Sequence, residues 1–350
     1  MQVVEAPRLG GRATEWDALA ASGRLPSPFL MSWWLEAMEP GGGATFVLCL
    51  DSGRLVGGLA LAVRNLGPLT RVRMLGDGPL APDHLDLVAE DGREAEVVAA
   101  LRGWLMARSQ CLIDLRGLAE GALVLAALPS GSLVTQLSTA PYVQLPAAGP
   151  IVPKVRRESL RRQAKRLEAL GATHRVVHGG EAGTERALRN MRRLHIERWG
   201  DRSGLARGFP ALAAAVRSSH GAAQIEELLI DGEVVASDVS VDIADRRHLY
   251  QGGRSMDHRW GGAGNVLLMH VLHRAQADGL AEYDFLRGTE SYKYMWATGE
   301  RQVLRARAAV GTGPRCHLWC QRLAEHGRPA ARQVKAWVRS RRAGTPPPSS

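Results

Sequence analysis

The stretch Arg259–Ala275, RWGGAGNVLLMHVLHRA, decides how this chain is read. It follows a predicted strand, HLYQGG (His248–Gly253), and opens a predicted helix. Arg259, Gly262 and Gly264 are spaced R-x-x-G-x-G, and Asn265 follows in the first helical turn. Glycines at such a turn let backbone N–H groups close on an anion with no Cβ in the way. The first turn of the helix adds unpaired N–H groups and the positive end of its dipole. Together these make a phosphate cradle. The spacing is not the dinucleotide G-x-G-x-x-G, and no lysine completes a Walker A loop. A tight strand-to-helix turn without a ligand is the other reading of the same residues.

The next informative stretch is YDFLRGTESYKYMW, Tyr283–Trp296. Strand, R-x-x-G-x-G loop, helix, strand and then a tyrosine-bearing segment is an order that resembles the acyl-CoA site of the GNAT superfamily of N-acyltransferases. The run FLRGTESYKYMW is similar to one branch, the FemAB-related, CelD-like acyltransferases. In that branch a strand ending D-F-x-R-G is followed by x-E-x-Y-K-x-x-W. The resemblance covers most of the chain and is stronger in the C-terminal half. The N-terminal half shares the pattern through LDSGRLVGGLAL (Leu50–Leu61) and RMLGDGPLAPDHLDLV (Arg73–Val88) but has no phosphate loop. Many members of the branch carry a Ser-Pro-Gly turn where this chain has Trp260-Gly261-Gly262-Ala263-Gly264. The glycine-rich turn is closer to ordinary GNAT enzymes and favours a CoA thioester donor.

Bulk properties set the frame. A chain of 350 residues is too long for one small core and suggests two domains. The N-terminal run MQVVEAPRLGGRATEW has no apolar signal-peptide core, and GALVLAALPSGSLV is broken by Pro129 and Gly131, too short for a membrane helix. Four cysteines do not make a disulfide framework, so the expected setting is the cytoplasm of a bacterial cell with reduced thiols. Residues 1–150 carry 11 Lys+Arg against 15 Asp+Glu, and residues 151–350 carry 34 against 20. The basic half is the half with the phosphate loop, which fits an anionic cofactor or an anionic macromolecule.

Periodicity predicts short helices at Glu15–Ala20 and around Trp33–Met38, then a hairpin through Asp51-Ser52-Gly53. A helix over Glu94–Arg108 and a strand CLIDLRG follow, and PYVQLPAAGP reads as the linker that closes this half. Beyond it run a basic helix from Pro153 to Leu170 and helices at Glu185–Trp199 and Pro210–His220. A hairpin through Asp231-Gly232, the strand RRHLYQGG, the loop helix, the strand AEYDFL and a final strand RQVLRARAAV complete the second half. The expected fold is α/β, a mixed α+β sheet. The resemblance implies two tandem GNAT-like domains: 1–147 without a donor loop, and 148–313 as the acyltransferase domain. Residues 314–350 are read as a basic helical tail with a disordered end.

The donor-binding candidates are Arg259, Gly262, Gly264 and Asn265. Acyl transfer from a thioester needs a base for the amine proton and an acid for the departing thiolate. The superfamily's acid is a tyrosine, which points to Tyr292, with Tyr294 in an alternative register. The alternative for each is a packed aromatic ring with a wet hydroxyl. Lys293 neutralises a phosphate or carboxylate, or is a surface lysine. Asp284, on a strand beside the site, orients the amine or acts as base through water; Asp238 is similar. For both the competing reading is a structural ion pair, since an unpaired acid in an apolar strand is costly to bury. His195 and His248 are further candidate bases. Cys316-His317 and Cys320 lack a second ligand pair at zinc spacing, and His270 and His273 lack the glutamate of H-E-x-x-H, so no metal is expected.

The expectation is an N-acyltransferase that moves an acyl group, acetyl first among them, from acyl-CoA to a primary amine. The acceptor is a small molecule or a cell-envelope precursor bound between the domains; its amine attacks the thioester directly in a ternary complex, with the HLYQGG backbone as oxyanion site. FemAB-like enzymes can instead take an aminoacyl group from tRNA, and the basic helix with Lys154, Arg156, Arg157, Arg161, Arg162, Lys165 and Arg166 could track its phosphates. No stacking aromatics accompany that helix. A non-catalytic partner of a polysaccharide-synthesis system is a third class.

Overall fold

The computed structural model describes residues 1–38, 43–152 and 154–322. The chain builds one continuous mixed sheet out of two similar halves. The first half runs β1 (Gln2–Ala6), α1 (Ala13–Ser22), α2 (Ser32–Met38), β2 (Ala44–Asp51), β3 (Arg54–Leu66), β4 (Leu69–Met74), the two-residue β5 (Val88–Ala89), α3 (Glu94–Met106), β6 (Cys111–Leu118), α4 (Val124–Ala127) and β7 (Leu133–Gln144). The second runs α5 (Lys154–Glu168), β8 (Thr173–His178), α6 (Thr184–Trp199), α7 (Gly204–Arg217), β9 (Ala223–Ile230), β10 (Glu233–Ile243), β11 (Arg246–Arg254), α8 (Ala263–Ala277), β12 (Glu282–Asp284), α9 (Ser291–Tyr294) and β13 (Gly299–Val310). A helix over 312–322 follows. Most of the basic tail expected at 314–350 lies outside the described residues.

The same plan is executed twice. In each half an antiparallel hairpin, β2–β3 or β9–β10, is followed by a third antiparallel strand, β4 or β11. A helix then crosses over to a parallel partner, β6 or β12. Both hairpins close on two residues with positive φ, Ser52-Gly53 and Asp231-Gly232, as the two-residue turn that matches strand twist requires. At the centre the halves exchange strands: the order is β4-β6-β13-β7-β12-β11. Thus β7, from the first half, pairs with β12 and β13, and β13, from the second, pairs with β6 and β7. The expected boundary at 147/148 is therefore crossed by strands in both directions.

This exchange corrects the reading of PYVQLPAAGP as linker. Tyr142–Gln144 end the 12-residue strand β7 at the middle of the sheet. Pro141 misleads because it cannot donate to a ladder, yet β12 is only three residues long and its last pair with β7 is Asp284 with Tyr142. The structure adds strand β8 at the sheet edge, and α7 starts at Gly204, capped by the Ser203 hydroxyl on the Ala206 N–H, six residues before Pro210.

The halves also share a core. Trp16, Phe29, Trp34, Leu61 and Val97 belong to the same buried apolar cluster as Leu188, Met191, Leu212, Tyr250 and Leu286. A second cluster lies on the opposite face of the C-terminal sheet, where Leu160, Ala164 and Leu167 of α5 meet Val266, Leu267 and Val271 of α8. The basic helix is thus amphipathic, with a narrow apolar stripe inward and its cations in solvent.

Candidate active site

Two parallel strands that pair and then part create the site. β11 and β12 pair only through Arg246–His248 and Glu282–Asp284. Beyond His248, β11 runs on without that partner. It carries a bulge there: Val239 faces Gln251 and Ser240 faces Leu249, so Tyr250 is the extra residue. Bulges re-aim side chains. Here the Tyr250 ring packs on Trp34 and Phe29 of the first half, and its hydroxyl donates to the Leu80 carbonyl (2.8 Å).

Two cavities open where the strands part. The first, about 400 Å³, lies against the N-terminus of α8; Gly262, Gly264, Asn265, Gly252, Asp238 and Tyr292 are in its wall. The second, about 470 Å³, lies between the halves, walled by Pro79–Ala81 and Asp83 on one side and by His195, Ser203 and Arg287 on the other. Arg198, Leu249, Gly252 and Tyr292 belong to both walls. The cavities therefore meet at the parting of the strands.

Three of the four donor candidates, Gly262, Gly264 and Asn265, line the first cavity. Gly262 caps α8 at φ 89°, a conformation that favours glycine. Its missing side chain makes room for Gln163 of α5, whose Oε1 would lie 2.6 Å from an added Cβ. The Arg166 guanidinium, also on α5, donates to the Gly261 carbonyl. The basic helix thus rests directly on the loop. Arg259 stands apart: it sits in a short 3₁₀ turn, 71% exposed, ion-paired to Asp257 at 2.6 Å and lying over Trp260. Arg254 and Arg198 are the cations in the wall of the first cavity.

Of the two tyrosines, only Tyr292 reaches the cavities. The Tyr294 hydroxyl is held by Thr139 (2.8 Å) and Glu300 (3.0 Å) on the β7–β13 side. Burial first, then the nearby carboxylates Asp238 and Glu290, raise the Tyr292 pKa, so its hydroxyl stays protonated. Lys293 is neither a surface lysine nor a free cation. It is buried, donates to the Arg287 carbonyl (2.7 Å) and pairs with Glu290 (3.0 Å), which ties the turn 286–290 together beneath α9.

Asp284 lines neither cavity. It is fully buried, bonded to His84 Nε2 (3.0 Å), the Leu286 N–H (2.7 Å) and Arg301 (3.3 Å). Burial raises its pKa, but the His84 charge and hydrogen bond outweigh that and hold it at about 2. This is the ion-pair reading, and it corrects the use of Asp284 as a base: its lone pairs are committed. Asp238 is the reverse case. It has no hydrogen bond or ion pair among the described residues, and it lines the first cavity. His248 is buried, its Nδ1 near the Val241 carbonyl (3.3 Å), and burial pulls its pKa to about 4. It lines neither of the two cavities. His195 does: its Nε2 meets the Ser203 hydroxyl (3.1 Å) in the wall of the second cavity, and burial, then Arg198, lower its pKa, leaving a neutral imidazole.

The first half contributes the wall no motif announced. Where the second half has its glycine-rich loop after β11, the first has the long connection after β4. That connection crosses to the other half: Asp83 accepts from the Arg287 N–H (2.7 Å) and Nε (2.5 Å), and Arg287 donates to the Pro82 carbonyl (2.7 Å). Among the described residues no cluster of three His, Cys, Asp or Glu could hold a metal, and no helix is long and apolar enough to cross a membrane.

Residues 154–294 match the model of an acetyltransferase (GNAT) domain family. No curated protein matches the sequence. Among solved structures, FemX is 12% identical with a TM-score of 0.62, the alignment covering 87% of this chain and 97% of FemX. L-PGS from Bacillus licheniformis is 16% identical with a TM-score of 0.53, covering 78% of this chain and 87% of its own. A tandem GNAT protein from the clavulanic acid biosynthesis pathway is 14% identical with a TM-score of 0.50, covering 89% and 99%. At these identities the likeness is one of fold.

Proposed function

We propose, from the GNAT acetyltransferase domain matched in residues 154–294 and a fold like that of FemX and of a tandem GNAT protein, that this chain is an acyltransferase that moves an acyl group, acetyl in the first instance, from acyl-CoA to a primary amine. The observation that carries this reading is the meeting of the two cavities at the parting of β11 and β12, with Tyr292 in both walls. The pyrophosphate would lie on the N–H groups of Gly262, Gly264 and Asn265. The pantetheine arm would follow β11 toward the bulge. The amine would enter through the second cavity and attack the thioester carbonyl, with β11 N–H groups turned from β12 receiving the developing oxyanion.

His195, neutral and in the acceptor wall, would take the amine proton. The Tyr292 hydroxyl would donate a hydrogen bond to the departing sulfur. Asp284 and Lys293 are positioning residues in this scheme: one fixes the end of β12 to the first half, the other fixes the turn that carries Tyr292. Residues 1–147, as a first domain, would supply a wall of the acceptor site and no donor site of its own.

A second donor is favoured by one observation. Lys154, Arg161, Lys165 and Arg166 of α5 are exposed, and Arg166 reaches the Gly261 carbonyl of the loop; such a basic surface would also suit the backbone of an aminoacyl-tRNA. Native mass spectrometry and turnover with acetyl-CoA, longer acyl-CoAs and aminoacyl-tRNA separate the two. Binding and consumption of an acyl-CoA is expected; use of aminoacyl-tRNA alone would reverse the assignment.

A further inference from the structure

Asp238 is the one acid in the donor cavity with nothing assigned to it. It lies mid-strand on β10, in register with Glu226 of β9 on one side and Gly252 of β11 on the other. Glu226 is fully engaged, by His174 (2.7 Å) and Arg274 (3.3 Å). Among the described residues Asp238 has no such partner. Gly252 leaves the space in front of it: a Cβ there would fall 2.6 Å from Asp238 Oδ1. The carboxyl therefore looks across a missing side chain into the cavity. In the wall of that cavity are Tyr292 of α9, Arg254 of β11 and Arg198 of α6, while α8 offers Gly264, Asn265 and Leu268; Tyr283 of β12 lies close enough to be affected by its charge.

We propose that Asp238 is the catalytic acid that protonates the departing thiolate. The inference rests on the acyl-CoA reading above. As the amine nitrogen bonds to the carbonyl carbon and the C–S bond breaks, the electron pair leaves on sulfur. The Asp238 proton passes to that sulfur, giving free CoA thiol and a carboxylate. The proton lost by the amine leaves through His195, and Asp238 regains one from solvent before the next turnover. Tyr292 remains a hydrogen-bond donor to sulfur.

Physical chemistry supports the division of labour. A useful general acid has a pKa near that of the group it protonates, and a thiol sits at roughly 8.5. Burial, then the Glu226 charge, push the Asp238 carboxyl up to about 8. Tyr292 has been moved away from that range by the same surroundings.

The test is the pH profile of CoA release from acetyl-CoA in the presence of a panel of primary amines (glycine, ethanolamine, glucosamine). Wild type should lose kcat as pH rises through about 8. Asp238→Asn should lower kcat by roughly 100-fold, the low end for a lost acid, abolish that alkaline limb, and leave CoA affinity unchanged. Asp238→Glu should restore part of the rate, and it serves as the informative variant if the asparagine form does not fold. Tyr292→Phe should lose less than Asp238→Asn and keep the limb. Retention of kcat and limb in Asp238→Asn would overturn the assignment. So would loss of CoA affinity in proportion to rate, which would make Asp238 a pantetheine contact only. A wild type that releases no thiol from acetyl-CoA yet uses aminoacyl-tRNA would overturn the donor reading, and this inference with it.

Discussion

Gly264 sits in the first turn of α8 with Arg254 across it, an added Cβ falling 3.3 Å from the arginine Cδ. The arginine can give way, so Gly264→Val should fold. Its methyl groups would occupy the anion's place on the backbone amides. CoA affinity should fall at least about tenfold, roughly 1.4 kcal/mol, with an unchanged melting temperature; unaltered affinity by calorimetry would move the donor site elsewhere. Buried charge gives the second prediction. His84→Ala leaves Asp284 with only Arg301 and the Leu286 N–H, and breaking a buried pair costs roughly 3–5 kcal/mol, so a large drop in melting temperature is expected, and a drop of a degree or two would show the pair to be dispensable. A third concerns His248. Burial, opposed by Asp284, holds its pKa near 4, below the ordinary value of about 6.5. Between those values the unfolded chain binds more protons, so stability present above about 6.5 is lost as pH falls toward 4. His248→Gln should flatten melting temperature against pH in that window; an unchanged slope would exclude His248 as its source. The two acids in apolar strands, Asp284 and Asp238, were both visible in the sequence. Which of them was paired was not, because the partner of Asp284 is His84, 200 residues away, and the freedom of Asp238 depends on a glycine across a strand.

Helix α5 is where the donor question is decided. Leu160, Ala164 and Leu167 face inward, while Arg161 and Arg162 stand in solvent, Arg162 held only by Glu158 at 3.3 Å. Arg157 donates to the Val152 carbonyl. Neutralising Arg157, Arg161 and Arg162 together should leave acetyl-CoA turnover nearly unchanged, because the loop contacts come from Gln163 and Arg166. With a tRNA donor, turnover would collapse and the salt dependence would flatten by about 0.7–0.9 in log–log slope per lost phosphate contact. Elements with strong local signals were legible: both hairpins, the basic helix, and α8 with its stop before Gly279. β7 was not, since Pro141 speaks locally against a central strand and only the short β12 beside it makes the position tolerable. Nor was the connection after β4 legible as a wall, because its role is set by Arg287 and Tyr250 in the other half.

Across the whole molecule the duplicated plan assigns different work to its two copies. The segment after the third strand carries the glycine-rich turn in one half and reaches over as a wall in the other. Exchange of β7 and β13 joins the halves in one sheet, and the shared core around Tyr250 locks the bulge that shapes the site. The first half is therefore expected to be indispensable for turnover without binding a donor. The glycine motif and net charge made that asymmetry readable in the sequence; the strand exchange, a contact between residues far apart in the chain, left no local trace. Calorimetric titration of the full chain with acetyl-CoA tests this most directly. One site per chain, lost in Gly264→Val, is the predicted result. Two sites, or a single site indifferent to Gly264→Val, would contradict it.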